Sequence, residues 1–186
     1  MDETKIFPNH HSIRLPGYDY SQEGSYFITI VCQDRRCLFG DVKDKSMYLD
    51  EAGRMINDWC QKMPELFPGV SLGSYVIMPN HVHFILNIDD RVYRDNVRPG
   101  TRPGPTAVTL GDIVGAFKSL TTTEYIKGVK TKNWQRFNKR LWQEDYWEHI
   151  IRAEEPLYKI EYYIKTNPEE WAHDEENPIN LKHVVE

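Results

Sequence analysis

The sequence predicts an α+β fold of the ferredoxin-like class, in which a βαββαβ unit forms an antiparallel sheet and an appended C-terminal helix carries a tyrosine. Three observations indicate this fold. Segments rich in β-branched and aromatic residues mark four strands, and apolar residues at steps of three and four mark two intervening helices. A third helical pattern follows the last strand. The 186 residues are the length of one compact domain.

Turn and capping residues indicate where these elements end. The proline-containing stretch at residues 64–69 is expected to end the first helix, and the Pro-Asn pair at residues 79–80 to form the tight turn of a hairpin. Thr109 is expected to cap the second helix together with Asp112, and the Asn-Pro pair at residues 167–168 to close the third. The predicted strands are residues 25–32, 70–78, 81–88 and 141–152, and the predicted helices are residues 52–63, 110–120 and 154–166.

Composition divides the chain into three parts. Residues 1–23 are interpreted as an N-terminal arm, residues 24–168 as the main domain and residues 169–186 as an acidic tail. No apolar run approaches the roughly 20 residues that span a bilayer, and no signal-peptide core follows the N-terminus. We therefore expect a cytoplasmic protein without a membrane segment. The three cysteines are an odd number without metal-ligand spacing, which favours reduced thiols over disulfides.

Charge is distributed unevenly along the chain. The net charge is -5, yet eleven basic residues and only three acidic ones lie between Arg91 and Arg140. Such asymmetry suits a protein that presents one basic face to phosphates. A solvated charged surface without a ligand explains the same pattern equally well.

The hairpin contains the pattern that points most directly to chemistry. His81 and His83 open the second strand of the hairpin, and residues two apart on a strand face the same side of a sheet. Their imidazoles are therefore able to converge on one divalent ion, while Val82 and Phe84 anchor the opposite face. An octahedral ion such as Mg²⁺ or Mn²⁺ requires further oxygen ligands. Two surface histidines on an exposed strand are the alternative interpretation.

The last predicted helix offers a nucleophile and an oxygen ligand on one flank. At 100° per residue, Tyr163 and Asn167 lie together beside the apolar stripe, whereas Tyr158 and Tyr162 project away from it. Tyr163 is therefore the candidate nucleophile, and the side-chain carbonyl of Asn167 a candidate metal ligand. A tyrosine that only packs its ring against the core is the alternative. The apolar stripe consists of Leu157, Ile160 and Ile164.

Taken in order, these segments resemble the HUH-type single-tyrosine transposases, especially the REP-associated tyrosine transposases (RAYTs). The resemblance runs from about residue 12 to Pro168. The segments that carry it are IRLPGYDYSQEGSYFITIV, MPNHVHFIL, LGDIVGAFKSL, LWQEDYWEHIIR and YYIKTNP. In that family the histidine pair binds a divalent metal and a tyrosine on the C-terminal helix attacks DNA. Alignment on the terminal Asn-Pro pair places this tyrosine at Tyr163 and the third ligand at Asn167, where better-known relatives have glutamine.

The resemblance implies a metal-dependent, single-stranded DNA endonuclease and strand transferase that forms a 5′-phosphotyrosine intermediate. The expected cofactor is Mg²⁺ or Mn²⁺, and the expected partner is single-stranded DNA with hairpin structure, bound by a monomer or a homodimer. Lys159 is a candidate for stabilising the Tyr163 phenolate. The candidate contacts to the DNA backbone are Lys118, Lys127, Lys130, Lys132, Arg136, Lys139 and Arg140.

Two other functions fit parts of the pattern. A non-catalytic, domesticated DNA-binding protein would retain the fold, although drift would be expected to erode the histidine pair and Tyr163 first. A metal-dependent hydrolase of another substrate would need a further histidine or glutamate in the hairpin region, and His149 is its best candidate.

Overall fold

A computed structural model describes residues 23–89, 108–152 and 154–180 of the chain. Residues 1–22 of the predicted arm, residues 90–107 with their arginines and residues 181–186 of the predicted tail lie outside the described residues. The elements are β1 (Gly24–Val31), β2 (Gly40–Lys43), β3 (Ser46–Leu49), α1 (Glu51–Leu66), β4 (Val70–Ile77), β5 (His81–Ile88), α2 (Leu110–Thr131), β6 (Trp147–Ile151) and α3 (Glu154–Glu170).

The main sheet has the strand order β4-β5-β1-β6, and every pairing in it is antiparallel. With α1 between β1 and β4, and α2 between β5 and β6, this order is the ferredoxin-like arrangement. The predicted fold class, including the appended C-terminal helix, is confirmed. None of the helices within the described ranges combines the length and apolarity that crossing a membrane requires.

Helices cover both faces of the sheet. One face packs against α1 and α2 in the larger apolar core, which includes Ile28, Phe84 and Phe117. The other face packs against α3 in a smaller cluster, where Phe27 and Ile85 of the sheet meet Ile160 and Ile164 of the helix. The face beneath α3 is the one that carries the histidines.

Boundary prediction was correct in outline and wrong at two places. The predicted strand 141–152 is reduced to Trp147–Ile151, because the carbonyls of residues 143–145 accept hydrogen bonds from the Lys118 ammonium instead of pairing in the sheet. The third helix does not close at the Asn-Pro pair but continues to Glu170. A proline removes one backbone donor, and burial of Ile164 and Asn167 holds this turn helical.

The first helix ends where predicted, and one hairpin was not predicted. The helix α1 passes through Pro64 and ends at Leu66, within the predicted stretch at residues 64–69. The β2–β3 hairpin was not predicted, because its two turn residues, Asp44 and Lys45, have positive φ angles of 49° and 61° without any glycine to signal the turn. The predicted cap of α2 is confirmed, since Thr109 and Asp112 form a reciprocal capping box.

Candidate active site

The hairpin register places both histidines at one end of the sheet, beneath α3. In the pairing of β1 with β5, Val31 lies opposite His81 and Thr29 opposite His83. Both histidines are buried, and their ring centroids are 4.5 Å apart. Alternation along β5 thus brings the two imidazoles together in the interior between the sheet and α3, not at an exposed strand surface.

Each imidazole is oriented through its Nδ1 atom. Nδ1 of His81 lies 2.9 Å from Oδ1 of Asn80, and Nδ1 of His83 lies 2.8 Å from Oγ1 of Thr29. The ring of Phe27 stacks on His83 with centroids 5.3 Å apart. With both Nδ1 atoms engaged, the Nε2 atoms are the ones that face the other polar groups of the site.

Tyr163 extends from α3 to the histidine pair. Its Oη lies 3.4 Å from Nε2 of His83, and its ring meets Phe27 edge to face with centroids 6.1 Å apart. Burial raises the pKa of Tyr163 above its usual range, the Asp174 carboxylate raises it further, and a hydrogen bond from Asn167 lowers it. The phenol is therefore neutral in this arrangement, and ionising it requires a positive charge at the site.

Asn167 lies one turn after Tyr163 and is almost fully buried, with 2% of its surface exposed. Its Nδ2 donates a 3.3 Å hydrogen bond to Oδ2 of Asp174. Its Oδ1 has no hydrogen-bond partner among the described residues. A buried carbonyl oxygen without a partner is costly in protein interiors, and such an oxygen is available to a cation.

Asp174 completes the group, and the sequence did not single it out. Its Oδ2 lies 3.9 Å from Nε2 of His81, and ligand atoms of His81, His83 and Asp174 all lie within 4.8 Å of one another. The residue follows a 3-10 turn at Trp171–His173 that turns the chain after α3. Several acids occupy this stretch, so neither spacing nor composition distinguishes Asp174 from its neighbours.

The donor set is compatible with a divalent metal. Two imidazole nitrogens, a carboxylate oxygen and an adjacent carbonyl oxygen are ligands of the kinds that first-row divalent ions accept. The buried Oδ1 of Asn167 is the observation that argues most independently for such an ion. A phenol beside a site of this kind is positioned for nucleophilic chemistry.

The predicted DNA contacts lie apart from this centre. Six of them are exposed at the end of α2 and in the loop that follows, at Lys127, Lys130, Lys132, Arg136, Lys139 and Arg140. That loop returns to the histidine end of the sheet, where Gln143 N donates a 2.9 Å hydrogen bond to Val31 O.

Two predicted lysines have other surroundings. The ammonium of Lys118 donates to the carbonyls of residues 143–145, at 3.0 to 3.2 Å, and lies over the Tyr146 ring. Lys118 therefore holds the loop that leads into β6. Lys159 is exposed one turn before Tyr163 on α3. His149, considered for a different metal site, stacks on Trp147 and is not in the His81–His83–Asp174 group.

Known proteins similar to this chain were found by sequence and by structure, although no protein-family model matches it. An uncharacterized protein of Haemophilus influenzae (strain ATCC 51907 / DSM 11121 / KW20 / Rd) is 37% identical over 177 residues, which are 89% of this chain and 93% of that protein. A second protein of the same strain, named "Putative REP-associated tyrosine transposase", is 26% identical over 153 residues, covering 81% of this chain and 73% of that protein.

A solved structure of a REP-associated tyrosine transposase bound to a REP hairpin has the same fold. Its TM-score is 0.55 at 19% sequence identity, and the match covers 83% of this chain and 72% of that chain. The second of these relatives and the structural neighbour agree with the resemblance that the sequence carries. In sequence the chain is similar to a putative REP-associated tyrosine transposase, and it shares the fold of a solved one.

Proposed function

We propose that this chain is a metal-dependent endonuclease and strand transferase that acts on single-stranded DNA through Tyr163. The observation that carries the proposal is the 3.4 Å approach of the Tyr163 Oη to Nε2 of His83, inside a group whose metal-type ligand atoms lie within 4.8 Å of one another. A tyrosine that only packs its ring against the core would not require its hydroxyl to lie beside metal-type ligand atoms.

The residues that would hold the metal are His81, His83 and Asp174, with Oδ1 of Asn167 beside them. When bound, Mg²⁺ or Mn²⁺ supplies a positive charge that favours the phenolate of Tyr163 and neutralises charge on the scissile phosphate. Thr29 and Asn80 hold the two rings in place through their Nδ1 atoms. Lys159, an exposed residue one helical turn before Tyr163, is the lysine proposed to support the phenolate.

The chemical step is a transesterification at phosphorus. The Tyr163 oxygen forms a bond to the phosphorus as the bond from phosphorus to the 3′ oxygen breaks. The phenol proton leaves to solvent, and the 3′ oxygen gains a proton to become a hydroxyl. The product is a 5′-phosphotyrosine link, and attack by a 3′-hydroxyl reverses the step and rejoins DNA without an external energy source.

Hairpin-containing single-stranded DNA is the proposed substrate. The similar transposase of known structure is bound to a REP hairpin. The exposed basic residues from Lys127 to Arg140 lie at the end of α2 and in the loop that returns to the histidine end of the sheet. Such residues contact phosphates without reading sequence. We propose that residues 24–168, with Asp174 from the following segment, form the reactive unit in the cytoplasm as a monomer or a homodimer.

A covalent-adduct experiment tests this proposal. The full chain is incubated with hairpin-containing single-stranded DNA and Mn²⁺ or Mg²⁺, and adducts that survive SDS are counted on a denaturing gel. We expect an adduct with the native chain and with Tyr162→Phe, whose exposed ring projects away from the site, but none with Tyr163→Phe. No adduct of the native chain with either metal would contradict the nuclease function. An adduct of Tyr163→Phe would identify a different nucleophile.

The role of Asp174 has its own test. If its carboxylate binds the metal, Asp174→Asn weakens Mn²⁺ binding and lowers the adduct yield, because an amide is a neutral and weaker ligand. The matched control is Glu175→Gln, an exposed neighbour with the same loss of charge. A higher adduct yield from Asp174→Asn than from the native chain would show that Asp174 obstructs the site and does not serve it.

A further inference from the structure

The side chain of Asn80 lies between the histidine pair and the chain segment that carries Asp174. It is fully buried in the hairpin turn, and all of its polar atoms are engaged. Nδ2 donates to the carbonyl of Arg35 at 2.9 Å and to the carbonyl of Glu176 at 2.7 Å. Oδ1 lies 2.9 Å from Nδ1 of His81.

These contacts determine which way the amide points. Two backbone carbonyls are able only to accept hydrogen bonds, so the donor nitrogen of Asn80 must face them. Oδ1 then faces His81, and Nδ1 of that ring must carry the hydrogen that Oδ1 accepts. In the neutral ring the lone pair is therefore on Nε2, the atom that lies 3.9 Å from Oδ2 of Asp174. Asn80 thus selects the tautomer of His81 that is able to bind a cation inside the site.

The same amide also fixes the segment that follows α3. Glu176, whose carbonyl accepts from Asn80, is buried and receives a second bond of 2.6 Å from Nε of Arg35 to its Oε2. The backbone N–H of Glu176 donates in turn to Oδ1 of Asp174 at 2.6 Å. The position of the Asp174 carboxylate is therefore tied to Glu176, and Glu176 to Asn80 and Arg35.

A strained turn presents Arg35 to this network. Asp34 and Arg35 have positive φ angles of 58° and 50°, a conformation that residues with a side chain rarely adopt. The turn directs the Arg35 carbonyl towards Asn80 and its guanidinium towards Glu176. Asn80 and Arg35 therefore both hold Glu176, in the segment that carries Asp174.

We propose that Asn80 is a positioning residue that couples docking of the C-terminal segment to the metal-binding tautomer of His81. The metal site is complete only while residues 174–177 are held against the hairpin turn. This inference rests on the proposed metal function of the same site. Asn80 is not one of the candidate metal ligands; it acts through His81 and through Glu176.

Three variants separate the contact with His81 from the contacts with the two carbonyls. Asn80→Ala removes the hydrogen bonds to His81 and to both carbonyls. Asn80→Asp keeps an acceptor for His81 Nδ1 but loses both donors to the carbonyls. Asn87→Ala is the matched control, because Asn87 lies at the far end of β5 from the site and, within the described residues, its amide forms hydrogen bonds with the side chains of Ser25 and Ser71.

Two readouts are used on the full chain. Titration calorimetry with Mn²⁺ reports affinity, and long-range ¹H–¹⁵N spectra of the metal-free chain report which nitrogen of His81 is protonated. We expect Asn80→Ala to weaken Mn²⁺ binding by about 10- to 100-fold and to mix the His81 tautomers. Asn80→Asp should keep the native tautomer pattern and still bind Mn²⁺ more weakly, whereas Asn87→Ala should match the native chain in both.

The inference is overturned if Asn80→Ala binds Mn²⁺ as tightly as the native chain, or if its His81 spectrum is unchanged. Should Asn80→Ala fail to fold, Asn80→Asp decides, and native affinity in that variant overturns the coupling. If the native chain binds no Mn²⁺ the proposed function fails by itself, while the tautomer spectra still test the bond between Asn80 and His81.

Discussion

Strand β5 has two faces of different character within eight residues. Towards α1 and α2 it presents Val82, Phe84 and Leu86, all fully buried in the larger apolar core. Towards α3 it presents His81 and His83, buried just as completely but among polar groups. The covering helices differ in the same way, since α3 brings a phenol and an amide to the sheet.

The two faces of β5 therefore have different roles: one contributes to the stability of the fold, and the other carries the candidate site. Apolar burial on the α1–α2 face contributes free energy in proportion to area and does not depend on a ligand. The α3 face holds imidazoles and a carboxylate whose desolvation is costly unless a partner compensates. Substitutions on the first face should therefore affect folding, and substitutions on the second face should affect chemistry.

The largest effect is expected from His83→Gln on the α3 face. Glutamine is similar in size and keeps a polar group near Thr29, but it removes a ligand nitrogen from the metal group. We expect the covalent DNA adduct to fall below detection while the midpoint of thermal unfolding stays close to the native value. Gel quantification and calorimetry measure the two quantities. If the His83→Gln chain still formed the adduct, the proposed difference in role between the two faces would be contradicted.

The next effect is expected from Phe84→Ala, one residue away on the other face. Removing a fully buried phenylalanine should lower the free energy of unfolding by about 3 to 5 kcal/mol, because it deletes apolar contacts and leaves a cavity. Urea unfolding measures this loss. The folded fraction should bind Mn²⁺ with native affinity. A selective loss of metal affinity without loss of stability would show that the faces are not independent.

A smaller effect is expected from the exposed basic residues near the end of α2. Lys127, Lys132 and Arg140 lie beside the carboxylates of Glu124, Glu51 and Glu144. Lys130, Arg136 and Lys139 have no ion pair within the described part of the chain. If the second set contacts single-stranded DNA, changing all three to glutamine should lower the slope of log affinity against log salt by about 2.

The control for that experiment is the same triple change in the ion-paired set, at Lys127, Lys132 and Arg140. Its effect on the salt slope should be smaller, since nearby glutamates already offset these charges. Fluorescence anisotropy with labelled hairpin DNA at several salt concentrations measures both slopes. Equal slopes for the native chain and the first triple variant would exclude these residues from the DNA interface.

The smallest effect is expected at Lys118. Burial lowers the pKa of Lys118 to about 8, although the Asp145 and Glu144 carboxylates act in the opposite direction. Between about pH 8 and pH 10 the unfolded chain retains a proton that the folded chain has released. The free energy of unfolding should therefore rise with pH in this window by more in the native chain than in Lys118→Met. Denaturant unfolding at each pH measures this free energy. Plots of it against pH that run parallel for the native chain and Lys118→Met would contradict the expected difference.

Much of the fold could be predicted because its signals are local. Alternation along residues 81–88, helical spacing along α2 and the Thr109–Asp112 cap each depend on neighbours in sequence. The start of β6 and the course of α3 past Pro168 could not be predicted, because they depend on the contacts of Lys118 with the preceding loop and on the burial of Asn167. A propensity argument does not include such long-range contacts.

The candidate site divides in the same way. His81, His83, Tyr163 and Asn167 were predicted from periodicity and from resemblance, and the structure brings all four together. Asp174 and Asn80 were missed. Asp174 reaches the site only after a turn that follows α3, and Asn80 acts through a carbonyl 96 residues away. Neither contact follows from the helical or strand periodicity of the sequence.

The most direct test of the account is whether a bound metal is held by the two imidazoles of the α3 face. Electron spin-echo spectroscopy of the Mn²⁺-loaded full chain detects nitrogen coupled to the ion. We predict one Mn²⁺ per chain with imidazole coupling that weakens in His81→Gln or His83→Gln and disappears when both histidines are changed. Mn²⁺ bound without imidazole coupling in the native chain, or coupling that survives the double change, would contradict it.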